Sequence, residues 1–285
     1  MNSFREKTLR GLHVDGFHRI AYAEWGPEDA DRTVVCVHGL TRNSHDFDEL
    51  APVLAKEGFR VVCPDVAGRG RSGRLINAAS YAFPQYLADM TALIARLDVE
   101  QVSWLGTSMG GLIGMMLAAQ PDTPISRLIL NDVGAFMPAD SLQAIAAYVV
   151  EEPEFDDVAA LEAGLRSRLT GFAPVTDEQW RRLAEHEARV QSNGKLKFGY
   201  DPAIGAALAA APVQDVDLWP IYDRIACPTL LLRGGDSNLL TASVAHEMTT
   251  RGPRAKLVEF AGVGHAPPLM AEDQIAAVRD FLVKT

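Results

Sequence analysis

Between Thr33 and Asp132 the chain alternates between two kinds of apolar stretch. The runs "TVVCVHG", "RVVCPD", "QVSWLG" and "RLILND" are short, continuous and rich in Val, Ile and Leu, as strands covered on both faces are. Phe47 to Lys56, Pro84 to Leu97 and Met109 to Gln120 separate them and read as helices. Ahead of these lie "TLRGLHV" and "HRIAYAEW", which read as an amino-terminal hairpin. From about Gly134 to Ala211 the signals are helical only, and Thr176 with Gln179 resembles a capping box. "PTLLLRGG" and "AKLVEFAG" then return as strands, each followed by a helical stretch. Strand–helix alternation predicts a mostly parallel, eight-stranded sheet with helices on both faces and right-handed crossovers. The expected architecture is an α/β core of residues 1–133 and 212–285, interrupted by a helical insertion at 134–211.

Composition narrows the partners. The 285 residues are 48% hydrophobic and 22% charged, an ordinary globular profile. A net charge of −10 argues against nucleic acid and anionic membrane as main partners. The start, "MNSFREKTLRG", shows no apolar signal core, and no run approaches the roughly 20 apolar residues of a membrane helix. A cytoplasmic location is expected. Cys36, Cys63 and Cys227 each sit in or beside an apolar run and read as buried free thiols. No His/Cys grouping has metal-ligand spacing, so neither metal nor cofactor is expected.

Candidate chemistry centres on "WLGTSMGGLIG". Gly106-Thr107-Ser108-Met109-Gly110 fits G-x-S-x-G, a pattern that arises by chance in roughly one chain of this length in ten. Its place between a buried strand and a helix is where a nucleophile elbow belongs, since a tight strained turn pushes the hydroxyl above the sheet. A serine needs a base, and a carboxylate to hold that base. His265, in "FAGVGHAPPLM", follows a strand and precedes the last helix. His13, His18, His45, His186 and His246 read as solvated or structural. For the carboxylate, Asp236 in "LLLRGGDSNLL" follows the penultimate strand and is preferred. Asp132 in "LILNDVG" is the rival, with an expected role in anchoring the start of the insertion. Gly68 to Gly73 formally fits G-x-G-x-x-G, but "RLINAASYAF" is a poor helix start, so an active-site loop is expected rather than a dinucleotide site.

These motifs resemble the α/β-hydrolase family over nearly the whole chain. "VHGL" resembles its oxyanion loop, "PDVAGRGRSG" the loop after its fourth strand and "GTSMGG" its elbow. "GGDSN" and "GVGHAP" resemble its acid and histidine loops, and the insertion resembles the cap of many members. The resemblance implies an oxyanion hole from the backbone N–H groups of Leu40 and Met109, with His38 tying down its loop. It implies a cofactor-free serine hydrolase acting on a small-molecule ester. Ser at the elbow disfavours branches whose nucleophile is a carboxylate. Alternatives are a lactone hydrolase or a carbon–carbon hydrolase of diketone ring-cleavage products, with Arg69, Arg71 and Arg74 as candidates for a substrate carboxylate. A non-catalytic binding protein on the same fold is a third reading. Phe136, Met137, Tyr148 and Phe172 are expected to line the pocket under the cap. Substrate and oligomeric state stay open.

Overall fold

The computed structural model describes residues 4–210 and 213–284. The expected boundary between insertion and core at 211/212 lies outside the described residues. Strands β1 (Arg5–His13) and β2 (Gly16–Trp25) form the amino-terminal antiparallel hairpin. There follow β3 (Arg32–Val37), α1 (Leu50–Lys56), β4 (Phe59–Pro64), α2 (Phe83–Leu97), β5 (Val102–Thr107), α3 (Met109–Ala118) and β6 (Ile125–Asn131). After the insertion come α8 (Trp219–Tyr222), β11 (Thr229–Gly234), α9 (Ala242–Met248), β12 (Lys256–Phe260) and α10 (Glu272–Lys284). The eight-stranded sheet runs β1-β2-β4-β3-β5-β6-β11-β12 and is parallel from β4 to β12.

Continuous apolar strands are explained by two cores, one on each face. Val34, Cys36, Val61, Cys63, Leu105 and Ile129 pack with α1 and α10, while Val35, Val37, Val62, Trp104, Leu128 and Leu130 pack with α2 and α3. Successive residues point to opposite faces, so every position must be apolar. Each fully buried Leu, Ile or Val contributes about 1.5–3 kcal/mol to holding these layers. The three cysteines are free, Cys36 and Cys63 fully buried among them.

The segment between β6 and β11 is mainly helical: α4 (Ala139–Val149), α5 (Val158–Arg168), α6 (Asp177–Glu187) and α7 (Ala203–Ala209). Thr176 and Gln179 make both bonds of the capping box that opens α6. Strand pairing here was not expected. β7 (Phe136–Met137) pairs with β10 (Val216–Asp217), and β8 (Arg189–Val190) with β9 (Leu196–Lys197). These two-residue ladders are too short for periodicity to register, although Gly194, at φ +81°, marks the second as a turn. The segment shares a core with α3 through residues such as Phe172, Trp180 and Ile204. It lies over the carboxyl ends of the strands, where the Gly264 N–H donates to the Gly171 carbonyl at 2.7 Å and Asp201 N–H to that of Gly68 at 2.7 Å. None of the described helices is long and apolar enough to cross a membrane.

Candidate active site

Ser108 stands at the corner between β5 and α3 with φ +51° and ψ −114°, a conformation that costs an L-residue free energy. The surroundings enforce it. A Cβ on Gly106 would lie 2.1 Å from the Gly110 carbonyl oxygen, and one on Gly110 would lie 2.1 Å from that of Val37. Only hydrogen fits at either position. The Ser108 amide donates to the Asn131 carbonyl at 2.9 Å, which fixes the corner against β6.

His265 follows β12 and brings Nε2 to 3.0 Å from Ser108 Oγ. Its Nδ1 lies 2.7 Å from Asp132 Oδ2. An ionised carboxylate only accepts, so Nδ1–H donates to Asp132 and Nε2 is left to accept from the Ser108 hydroxyl. The arrangement can move a proton off serine and stabilise the imidazolium that results.

The preferred carboxylate is therefore corrected. Asp236 is exposed, and its side chain meets no hydrogen-bond partner among the described residues, while its amide donates to the Val263 carbonyl at 2.8 Å. Asp132 is fully buried at the end of β6, with φ +55°. Its Oδ1 accepts from the Gly234 amide at 2.9 Å and its Oδ2 from the Ser237 hydroxyl at 2.6 Å. The loop after β11 thus supplies donors that hold a carboxylate from β6. Ser237 and Gly234 were missed because their task shows only once β6 and β11 are paired.

Leu40 and Met109 flank Ser108 in the pocket wall. Met109 is the first residue of α3, and the first amides of a helix have no intrahelical acceptor. His38 is structural: Nδ1–H donates to the Gly39 carbonyl at 2.7 Å and Nε2 accepts from Val66 N–H at 3.0 Å. Complete burial holds its pKa down at about 4, so the ring stays neutral between these partners.

Gly68 to Gly73 forms a closed loop, Gly68 N–H donating to the Gly73 carbonyl at 2.9 Å, and no α-helix opens on it. Asp65 ties it, accepting from Ser44 N–H at 2.7 Å and Arg71 N–H at 2.9 Å. The arginines expected to receive a carboxylate are otherwise engaged or remote. Arg69 is buried against neutral acceptors, Arg71 pairs with Asp65 and Glu6, and Arg74 is exposed near Asp201.

Ser108 and His265 open into a cavity of about 470 Å³, within the range of small-molecule sites. Met137, Tyr148 and Phe172 line it as expected; Phe136 does not. Leu142, Ile145 and Leu208 from the helical segment add apolar wall. Arg42 and Asp46 line it too, but Arg42 is paired with Asp46 at 2.6 Å and with Glu187 of α6 at 3.4 Å. Outside this pair, His45, Asp48 and His186 bring ligand-type atoms within 4.8 Å of one another, a grouping that sequence spacing did not reveal. The imidazoles of His45 and His186 stack with centroids 3.5 Å apart and planes 5° from parallel. One nitrogen of each ring faces Asp48 Oδ2, His45 Nδ1 at 2.9 Å and His186 Nε2 at 3.7 Å.

An elbow serine, a histidine paired with a buried Asp and a pocket over a parallel sheet define an α/β-hydrolase architecture. The alpha/beta hydrolase fold family matches residues 32–270, and the chain belongs to it. It is 43% identical over 274 residues to a 3-hydroxybutyrate-oligomer hydrolase of Cupriavidus necator, covering 93% of each chain. It is 24% identical over 262 residues to a bifunctional esterase/perhydrolase of Acinetobacter calcoaceticus, covering 90% of this chain and 92% of that one. An alpha/beta hydrolase structure from Novosphingobium aromaticivorans superposes with a TM-score of 0.88 at 34% identity, over 100% of both chains. The protein is a hydrolase acting on a small molecule.

Proposed function

We propose that the protein is a serine hydrolase of carboxylic esters, and that its substrates are short oligoesters of 3-hydroxy acids such as 3-hydroxybutyrate. The hydrogen-bonded line Ser108–His265–Asp132 at the floor of an apolar cavity carries the reading. Ser108 Oγ attacks the ester carbonyl while His265 Nε2 takes its proton. The tetrahedral oxyanion is received by the N–H groups of Leu40 and Met109. Collapse releases the alcohol, which takes the proton from His265, and leaves an acyl-enzyme on Ser108. His265 then deprotonates water, which attacks the acyl carbon and frees the acid. Asp132 holds the tautomer and the imidazolium throughout.

The helical segment between β6 and β11 acts as a cap, closing the cavity from above and setting acyl preference. The substrate class is supported by the oligoester-cleaving relative and by the chemistry of the wall. Its guanidinium, Arg42, is already ion-paired, so an oligoester binds by its apolar methyl-bearing backbone and leaves its anionic end at the mouth. The same pairing gives a diketone acid nothing to hold its carboxylate. The test is incubation with the 3-hydroxybutyrate dimer and trimer, followed by chromatography for monomer, with p-nitrophenyl butyrate as reference ester. Monomer release that disappears in Ser108→Ala supports the reading. Turnover of the reference ester without the oligomers removes the substrate class. Absence of both, together with no labelling by a fluorophosphonate, removes the serine hydrolase.

A further inference from the structure

Arg69 is a buried cation without a counter-ion. It is 1% exposed, and among the described residues no carboxylate oxygen lies within 4.0 Å of its nitrogens. Its partners are all neutral. Nε donates to the Leu40 carbonyl at 2.8 Å, and Nη1 to the Ala67 carbonyl at 2.7 Å and the Tyr86 hydroxyl at 2.9 Å. Nη2 reaches Met109 Sδ at 3.6 Å, and the guanidinium carbon stands 5.1 Å over the Tyr86 ring and 5.8 Å over that of Tyr81. Taking a charge out of water against neutral acceptors alone is costly. Arg71, two residues away, does have carboxylates in Asp65 and Glu6.

The position explains the expense. Leu40 and Met109, the two residues whose amides receive the oxyanion in the reading above, are both held by this one side chain. The rigid fork fixes the Leu40 main chain through Nε and the Met109 side chain through Nη2. A guanidinium with no partner anion also keeps its field for an anion that forms nearby. Such a field favours the tetrahedral intermediate over the neutral ester, which is the difference that speeds a reaction.

Resting on the Ser108 mechanism, we propose that Arg69 is a positioning residue of the oxyanion pocket, acting through the Leu40 main chain and through its uncompensated charge. Its loss is felt in turnover and in binding of tetrahedral anions, not in binding of ester.

Arg69→Met, close in length and neutral, and Arg69→Lys, which keeps the charge but loses the fork, separate the two contributions. Both are compared with wild type by circular dichroism, by kcat and KM on p-nitrophenyl butyrate, and by inhibition with phenylboronic acid, which forms a tetrahedral anion on an active serine. A direct oxyanion donor is worth about 10²–10³ in rate, so an indirect one is expected to cost Arg69→Met roughly 10- to 100-fold in kcat. KM should stay within about threefold, with boronate affinity falling in step with kcat. Arg69→Lys should recover part of the loss. A folded Arg69→Met with wild-type kcat and boronate affinity overturns the inference, as does a loss confined to KM. If Arg69→Met does not fold, Arg69→Lys decides: wild-type kcat there removes the role of the fork. A wild-type protein that neither cleaves ester nor takes a fluorophosphonate fails at the Ser108 mechanism, one step earlier and visibly so.

Discussion

Asp132→Asn tests the relay at its buried end. Asp132 Oδ1 accepts from Gly234 N–H at 2.9 Å, and Oδ2 accepts from Ser237 O–H at 2.6 Å and His265 Nδ1–H at 2.7 Å. In the variant, the amide oxygen must stay on Gly234, because a buried N–H left without an acceptor costs about 1–3 kcal/mol. The amide NH₂ then faces His265 and Ser237. Ser237 can turn its hydroxyl and accept. His265 must also accept, through Nδ1, which moves its proton to Nε2 and aims N–H at Ser108. A ring in that tautomer cannot take the serine proton. The analogous change in serine proteases costs about 10⁴ in kcat, which corresponds to roughly 5.4 kcal/mol of barrier. The same size of loss is expected here, with KM within about threefold, since the carboxylate is fully buried and touches no substrate. Asp236→Asn alters an exposed side chain with no hydrogen-bond partner among the described residues and should stay within about twofold of wild type. Stopped-flow and steady-state release of p-nitrophenol from the butyrate ester measure both variants. Near-normal turnover in Asp132→Asn, beside a dead Asp236→Asn, would refute the assignment.

Ser108→Ala should abolish ester turnover and fluorophosphonate labelling while leaving the circular dichroism spectrum unchanged; residual activity above a few per cent of wild type would name another nucleophile. Gly110→Ala places a methyl 2.1 Å from the Val37 carbonyl oxygen and should destabilise by more than about 3 kcal/mol or block folding, read by urea unfolding. If 3-hydroxybutyrate dimers bind with their anionic end at the mouth, the methyl ester of the dimer should be cleaved with a kcat/KM at least equal to that of the free acid; a strong preference for the acid would mean that a cation such as Arg42 is free to bind it. The His38 pKa is depressed by burial from an ordinary 6.5 to about 4, so the neutral ring contributes stability above pH 6.5 that is lost as pH falls toward 4. Relative to His38→Gln, wild type should lose on the order of 3 kcal/mol across that window in urea titrations, and parallel curves would refute this account.

Much of the fold was legible because both-face burial writes itself into composition. The runs at β3 to β6 and β11 carry consecutive apolar residues, such as Val34 to Val37 and Leu230 to Leu232, because each strand feeds both cores. Ser108 and His265, whose side chains meet at 3.0 Å, stood out in the sequence through their flanking glycines and their place after strands. The two-residue ladders of the helical segment were not legible, since two positions carry no period. Nor were the bond of Arg69 to Leu40 and the pair of Arg42 with Glu187, which join residues 29 and 145 apart in the chain.

The acid was the hardest residue to place, and the reason lies in the sheet. β6 and β11 are parallel neighbours with Leu232 opposite Asn131, so Asp132 and the Gly234–Ser237 loop emerge side by side at the same edge. Either strand can deliver a carboxylate to His265, and chain order is Ser, Asp, His in both cases. What decides is which backbone turns inward. Asp132 adopts φ +55° and donates its amide to the Leu232 carbonyl at 2.8 Å, which turns its side chain under His265. Asp236 donates its amide to Val263 on the far side and leaves its carboxylate exposed. The residue after it, Ser237, points inward instead and finds Asp132. One strand end supplies the anion and the other the donors that hold it. It follows that Ser237→Ala should weaken the hold on Asp132 without removing the charge, costing turnover far less than Asp132→Asn does. A Ser237→Ala variant as inactive as Asp132→Asn would mean that the hydroxyl, and not the carboxylate, is what His265 depends on.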